Sequence, residues 1–186
     1  MIEPVAELCQ RAKAGEVAAA SELVSLFYER VFCYFRRLCG NDPDAEDLTQ
    51  KTFLRVWSGL GSFQGRSSFS TWIHGIGHHV YVDWRRRKNH SEPQTDAWWE
   101  TCVADGPSPY ENAAEKELAH QLYGLVEQLE HGVKEAVQLH YYQGLSIKET
   151  AEVMEIATST VKYRLREALA LLRTQAAEPK LRTAAD

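Results

Sequence analysis

Long apolar runs are missing from this chain. No stretch approaches the ~20 consecutive apolar residues needed to cross a bilayer, and the opening MIEPVAELCQ lacks the pattern of a secretory leader. A protein of the cytoplasm is the expectation. Cysteine is scarce: Cys9, Cys33, Cys39 and Cys102 form no CxxC pair and no regular ladder. That argues against a disulfide framework or a zinc ribbon and leaves four small apolar residues suited to a core. Catalytic signatures are missing too. His74 and His78 stand one helical turn apart and suggest a shared metal, with His79 beside them, but the zinc-protease pattern puts a glutamate directly after the first histidine, where Gly75 stands. No enzyme chemistry, cofactor or metal is expected, and metal binding by these histidines is the remote alternative. Strand-like runs are also scarce, which makes the expected fold all-α.

What is present is globular in character. Hydrophobic residues make up 44% of the 186, and charged residues 25%, values of a packed protein and not of a disordered one. The 26 acidic residues outnumber 21 Lys and Arg, yet charge is segregated. Asp42, Asp44, Glu46 and Asp47 cluster against Lys51 alone, while Arg85, Arg86, Arg87 and Lys88 follow one another without an acid. Such segregation points to two partners of opposite sign, and an acidic total does not exclude nucleic acid, since binding depends on where the charge sits.

Apolar residues recur at helical spacing from Val17 to Leu38, and Gly40-Asn41 ends that run. Asp42 then offers an N-cap, with Pro43 in the first helical position and acids in the first turn. This second helix runs through Leu48, Phe53, Val56 and Trp57 until the three glycines of SGLGSFQGRSS break it. A third helix carries FSTWIHGIGHHVYVDWRRRK, from Phe69. Periodicity stops from Asn89 to Pro107, which reads as a linker despite Trp98 and Trp99. Ser108 and Glu111 restart a helix with a capping box, and short helices are expected near 113–129, 132–142, 146–154 and 159–174.

GLSIKETAEVMEIATSTVKYRLREALALL, from Gly144 to Leu172, has the order of a helix-turn-helix. Ser146 and Glu149 form a capping box, and Ile147, Ala151 and Met154 share one face. After the turn Glu155-Ile156-Ala157, Thr158 or Ser159 can cap a longer helix with Val161, Leu165, Ala168, Leu169 and Leu172 inward. Rotation by 100° per residue puts Ser159, Tyr163, Arg166, Glu167 and Ala170 outward, with Lys162 on the flank. A second helix with bases on its outer face suits the DNA major groove.

With these residues in view, the chain resembles the sigma factors of the extracytoplasmic-function (ECF) type, the smallest class of the sigma-70 family. DAEDLTQKTFLRVW is similar to the family's core-polymerase-binding helix, FQGRSSFSTWIHGI to its promoter-melting segment, and LSIKETAEVMEIATSTVKYRL to its reader of the −35 element. The resemblance implies two small helical domains joined by a flexible linker: sigma domain 2 over 1–88, a linker over 89–107, sigma domain 4 over 108–176 and a tail over 177–186. It implies core-polymerase binding by Asp44, Glu46, Asp47, Leu48, Gln50 and Phe53. It assigns −10 recognition and melting to Phe63, Gln64 and Arg66 in a base-capturing loop, and to Trp72, His78, His79 and Arg85, Arg86, Arg87 and Lys88 beside it. Ser159, Thr160, Lys162, Tyr163, Arg166 and Glu167 would meet the −35 element.

The implied partners are core RNA polymerase, through the clamp helices of its largest subunit and its flap, promoter DNA, and an anti-sigma factor of the usually membrane-anchored kind. No small-molecule substrate is implied, and the regulon would serve a stress or environmental response. Three departures stand out. Glu167 occupies a place where members often carry a base, Gly75 and Gly77 replace larger helix formers, and His78-His79 replace an Arg-Asn pair. The rival reading is a helix-turn-helix regulator that acts without core polymerase, which leaves DAEDL and the melting segment without a role.

Overall fold

The computed structural model describes residues 4–88, 124, 126 and 129–177. Those residues form helices α1 (Val5–Lys13), α2 (Val17–Cys39), α3 (Asp42–Gly59), α4 (Phe69–Lys88), α5 (His131–Val137), α6 (Ile147–Val153) and α7 (Thr158–Ala177), with a 3-10 turn at Leu60–Ser62 and a wide turn at Gln138–Tyr142. No strand occurs among the described residues. The expected linker with Trp98 and Trp99, the Ser108–Glu111 capping box and most of the helix expected over 113–129 lie outside them.

Helix α2 is the spine of the first bundle. Leu23, Phe27, Val31, Tyr34, Phe35 and Leu38 lie on its inner face, and it packs against α1 and α3, with α4 closing the bundle against α3. Buried Leu48, Phe53 and Val56 of α3 and Ile73, Val80 and Tyr81 of α4 complete the core. Gly40 ends α2 with φ 76°, the left-handed conformation in which glycine carries no steric cost. The next cap is one residue earlier than expected. Asn41 is extended and its side chain accepts from the Asp44 N–H at 2.9 Å, so Asn41, not Asp42, is the N-cap; Asp42 instead pairs with the buried Arg36 across the α2–α3 corner. The periodicity also passed over α1, a short helix whose Leu8 and Cys9 are buried.

The second bundle is α5, α6 and α7 around Val133, Ala136, Val137, Leu139, Val153, Val161, Leu165 and Ala168. Helix α5 ends in a wide turn closed by the Gln143 N–H to the Gln138 carbonyl at 3.0 Å, and Gly144 at φ 72° ends it. The expected capping box is present. Ser146 Oγ accepts from the Glu149 N–H at 3.2 Å and Glu149 Oε2 accepts from the Ser146 N–H at 2.9 Å. At the start of α7 the cap position belongs to Ala157, whose carbonyl takes the N–H groups of Thr160 and Val161. Thr158 and Ser159 are already helical, so neither is the cap. Leu169, expected inward, is 38% exposed.

The two bundles touch. Helices α2 and α4 of the first dock against α5, the wide turn and α6 of the second.

Candidate nucleic-acid interface

The acidic end of α3 separates into an inner and an outer set. Leu48 and Phe53 are buried, whereas Glu46, Asp47 and Gln50 are exposed. Leu54 joins the outer set at 69% exposure. It lies one and two helical turns beyond Gln50 and Glu46, so these three share a stripe. Sequence reasoning did not single out Leu54, although its position in the period, one residue past the inward Phe53, marks it as outward. Asp47 pairs with Lys51 of its own helix.

Asp44 behaves differently from its neighbours. Its carboxylate accepts from Lys88 Nζ at 2.6 Å, Trp84 Nε1 at 3.2 Å and the Asn41 amide at 2.8 Å. Partial burial works against its ionisation, but these three donors outweigh it and hold its pKa below the ordinary aspartate value. The first acid of the motif and the last base of the cationic run are thus one ion pair that ties the end of α4 to the start of α3. Lys88 also lies over the Trp84 ring at 4.6 Å. Arg85 is half-buried against Tyr81, Arg86 reaches Asp83 at 3.2 Å, and Arg87 is exposed.

The loop between the 3-10 turn and α4 presents Gln64 and Arg66 to solvent. Phe63 is half-buried instead. Its ring lies tilted 4.8 Å from that of Trp72 and edge-on to Phe69 at 5.7 Å, and Phe69 meets Phe27 edge-on at 5.0 Å. Lys13 of α1 donates to the Phe63 carbonyl and lies over its ring. An aromatic cluster therefore anchors the loop, with two exposed polar side chains at its tip. Phe69 is core, and Trp72 is half-buried on its surface.

The three histidines of α4 face three different partners. His74 is fully buried, its Nδ1 2.7 Å from the Ser70 carbonyl and its ring edge-on to Tyr34; burial pushes its pKa down to about 4, so it is neutral. His78 Nδ1 lies 2.6 Å from Glu135 of α5. His79 Nε2 lies 3.3 Å from Glu155, a non-glycine residue at φ 53° in the turn before α7. A shared metal would need His74 and His78 to turn towards one point, and here their Nδ1 atoms hold separate acceptors. No cluster able to hold a metal occurs among the described residues.

Helix α7 presents the outer face the pattern predicts. Ser159, Lys162, Arg166 and Tyr163 are exposed, Tyr163 at 66%, while Thr160 and Glu167 are half-buried at the edges. Val161, Leu165 and Ala168 hold the opposite face in the core. Hydroxyls, one ammonium, one phenol and one guanidinium on a single exposed helical face supply donors for phosphates and for a guanine edge.

The chain is similar to known proteins over most of its length. The family model for sigma-70 region 2 matches residues 23–91, and that for sigma-70 region 4 matches residues 119–172. The ECF RNA polymerase sigma factor SigW of Bacillus subtilis is 27% identical over 175 residues, covering 89% of this chain and 93% of SigW. RNA polymerase sigma factor YlaC of the same organism is 30% identical over 152 residues, covering 79% of this chain and 86% of YlaC. Among solved structures, the fold is similar to CnrH in its complex with the cytosolic domain of CnrY (TM-score 0.65, 23% identity, 91% of this chain and 94% of that one). It is also similar to the sigma factor RpoE bound to the anti-sigma factor NepR from Bartonella quintana (TM-score 0.66, 20% identity, 86% and 98%).

Proposed function

This chain belongs to the sigma-70 family, in its ECF class, and is an alternative sigma factor and not an enzyme; from that premise we propose which of its residues meet polymerase and which meet promoter DNA. The outer stripe of α3, with Glu46, Asp47, Gln50 and Leu54, docks on basic groups of the polymerase clamp helices. Leu48 and Phe53 support it from beneath. Gln64 and Arg66 at the loop tip, with Trp72, His78, His79 and the Arg85–Arg87 run along α4, take the −10 element and its unpaired bases. Asp44 and Lys88 serve chiefly to fix α4 against α3, because each satisfies the other's charge.

Helix α7 reads the −35 element through Ser159, Lys162, Tyr163 and Arg166, with Thr160 and Glu167 at the margin. The domain limits are 1–88 and 108–176. The chain works in the cytoplasm on a stress or environmental-response regulon. Its remaining partner is an anti-sigma factor, of the kind named in the RpoE–NepR complex, and a membrane-anchored one suits the class. No helix among the described residues is long and apolar enough to cross a membrane.

The observation that carries this reading is the clean division of α3 into buried Leu48, Thr49, Thr52, Phe53 and Val56 and an exposed stripe bearing two acids, an amide and a bare leucine. Asp47→Lys tests it. An exposed acid near a helix start contributes only about 0.3–1 kcal/mol to the helix, so the variant folds, and its capture of core polymerase at physiological salt is expected to fall at least about tenfold, the loss of about 1.4 kcal/mol. Undiminished capture rules out this face.

A further inference from the structure

The contact between the two bundles joins their apolar cores and adds a specific polar set centred on one carboxylate. Glu135 of α5 is 3% exposed, and its Oε1 accepts from Tyr34 of α2 at 2.6 Å and lies 2.6 Å from His78 Nδ1 of α4. Around it Arg30 donates to the Gln143 carbonyl at 2.6 Å while the Gln143 amide donates to the Arg30 carbonyl at 3.2 Å. Thr71 donates to Glu149 at 2.9 Å, so the acid that caps α6 also binds the first turn of α4. Arg37 lies 4.1 Å over the Tyr142 ring. His78 and Thr71 belong to the helix assigned to the −10 element, and Glu149 to the helix-turn-helix assigned to the −35 element.

These contacts are incompatible with a promoter. The names of the two elements place them about 25 base pairs apart, roughly 85 Å at 3.4 Å per base pair. A 2.9 Å hydrogen bond between the two readers cannot survive when each sits on its own element. We propose that the docked arrangement is a self-inhibited state of this sigma factor, latched by Tyr34 and His78 on Glu135, and that release of the latch frees α4 for promoter DNA. The proposal rests on the reading of α4 given above. A buried carboxylate with its partners in place holds firmly, but it becomes an uncompensated buried charge as soon as a partner is lost. Such a contact therefore releases as a unit.

The latch also carries a proton switch. Burial disfavours charge on His78, yet the Glu135 hydrogen bond and charge, with Glu155 behind, outweigh that and the opposing Arg164, and the pKa of His78 stands above the ordinary histidine value. The groups that face it are Tyr34 from α2, Glu135 from α5, Glu155 from the turn before α7, Arg164 from α7 and His79 of its own helix. A raised pKa means that the docked state binds the proton more tightly than the open one. Docking is therefore fully supported below about pH 6.5, the ordinary histidine value, and weakens as pH rises through the raised value.

Small-angle X-ray scattering of the full chain, at about pH 6 and about pH 8.5, reads docking directly, and anisotropy of fluorescein-labelled oligothymidine reads access to α4. The wild type is expected to be compact at the lower pH and to expand at the higher. Glu135→Gln removes the charge and is expected to shift the docked-to-open ratio about tenfold or more towards open, on the scale of a charged hydrogen bond, and to lose the pH response. Tyr34→Phe, a milder change, is expected to open the chain less and to keep the pH response. Circular dichroism of each variant establishes that its helices remain. If Glu135→Gln and Tyr34→Phe both scatter as the wild type does, or the wild type is extended at both pH values, the latch is refuted. If Glu135→Gln opens the chain while oligothymidine binding stays the same, the latch stands and the assignment of α4 to unpaired DNA falls.

Discussion

At the scale of single residues, the reading proposed for α7 divides labour by chemistry. Arg166 and Lys162 are both exposed on α7, but a planar guanidinium can grip the two acceptors of one guanine edge, whereas an ammonium is a point charge suited to phosphate. Arg166→Ala is expected to weaken binding to the preferred −35 duplex by about 1–3 kcal/mol and to relax choice at one or two base pairs. Lys162→Ala is expected to weaken all sequences alike and to reduce the dependence on salt by about one counterion. Titrations of both variants against a panel of single-base-pair changes, at two salt concentrations, separate these outcomes; identical sequence profiles would refute the division. Glu167 sits half-buried at the margin of this face; a carboxylate can accept from a cytosine amino group but cannot hold a phosphate.

At the scale of elements, much was legible in the sequence, and what was not has local physical reasons. The spans of α2, α3 and α4, the Ser146–Glu149 capping box and the outer face of α7 all depend on residues within a turn or two of each other, and periodicity reports such relations well. Two caps were placed wrongly, because neighbouring polar residues compete for one position and only backbone geometry decides. Asn41 takes the extended conformation that frees Asp42 for Arg36, and Ala157 takes the cap ahead of Thr158. Helix α1 escaped notice because only Leu8 and Cys9 are fully buried along it, too few to show a period. Gly77, by contrast, gains a reason. A Cβ there would stand 3.3 Å from the Phe35 ring and 3.6 Å from that of Tyr34, whereas a Cβ at Gly75 would meet nothing within 4 Å.

In the loop proposed to capture a base, the anchor and the tip have different parts. Phe63 belongs to the aromatic cluster that anchors the loop, so truncating it would mix lost packing with lost contact to a base. Gln64 and Arg66 are exposed and free of that ambiguity. Their joint replacement by alanine is expected to leave duplex promoter binding nearly intact and to lower the permanganate reactivity of melted thymines, with a pre-opened bubble template restoring transcription. About 1–3 kcal/mol per captured base is at stake, a loss of tenfold or more in open complex. Normal opening of linear DNA by this variant would make the loop a mere connector.

At the scale of the whole molecule, charge segregation gave half of the answer. The acids of α3 and the bases of α4 do face outward in part, but their ends meet in the Asp44–Lys88 pair, which sequence separation of 44 residues hid. The docking of the two bundles was equally invisible. Tyr34 and Glu135 are 101 residues apart and His78 and Glu135 are 57 apart, and no periodic pattern relates positions at such distances.

The central claim is that this chain initiates transcription through core polymerase. Its most direct measurement is transcription in vitro from fragmented genomic DNA by purified core polymerase with and without the chain, with the 5′ ends of all transcripts mapped. The account predicts a new set of start sites that appears only with the chain, shares one −35 and one −10 motif, and disappears with Asp47→Lys. Binding of the chain to specific DNA duplexes with no new start sites above those of core polymerase alone would contradict it, and would make the helix-turn-helix that of an ordinary regulator.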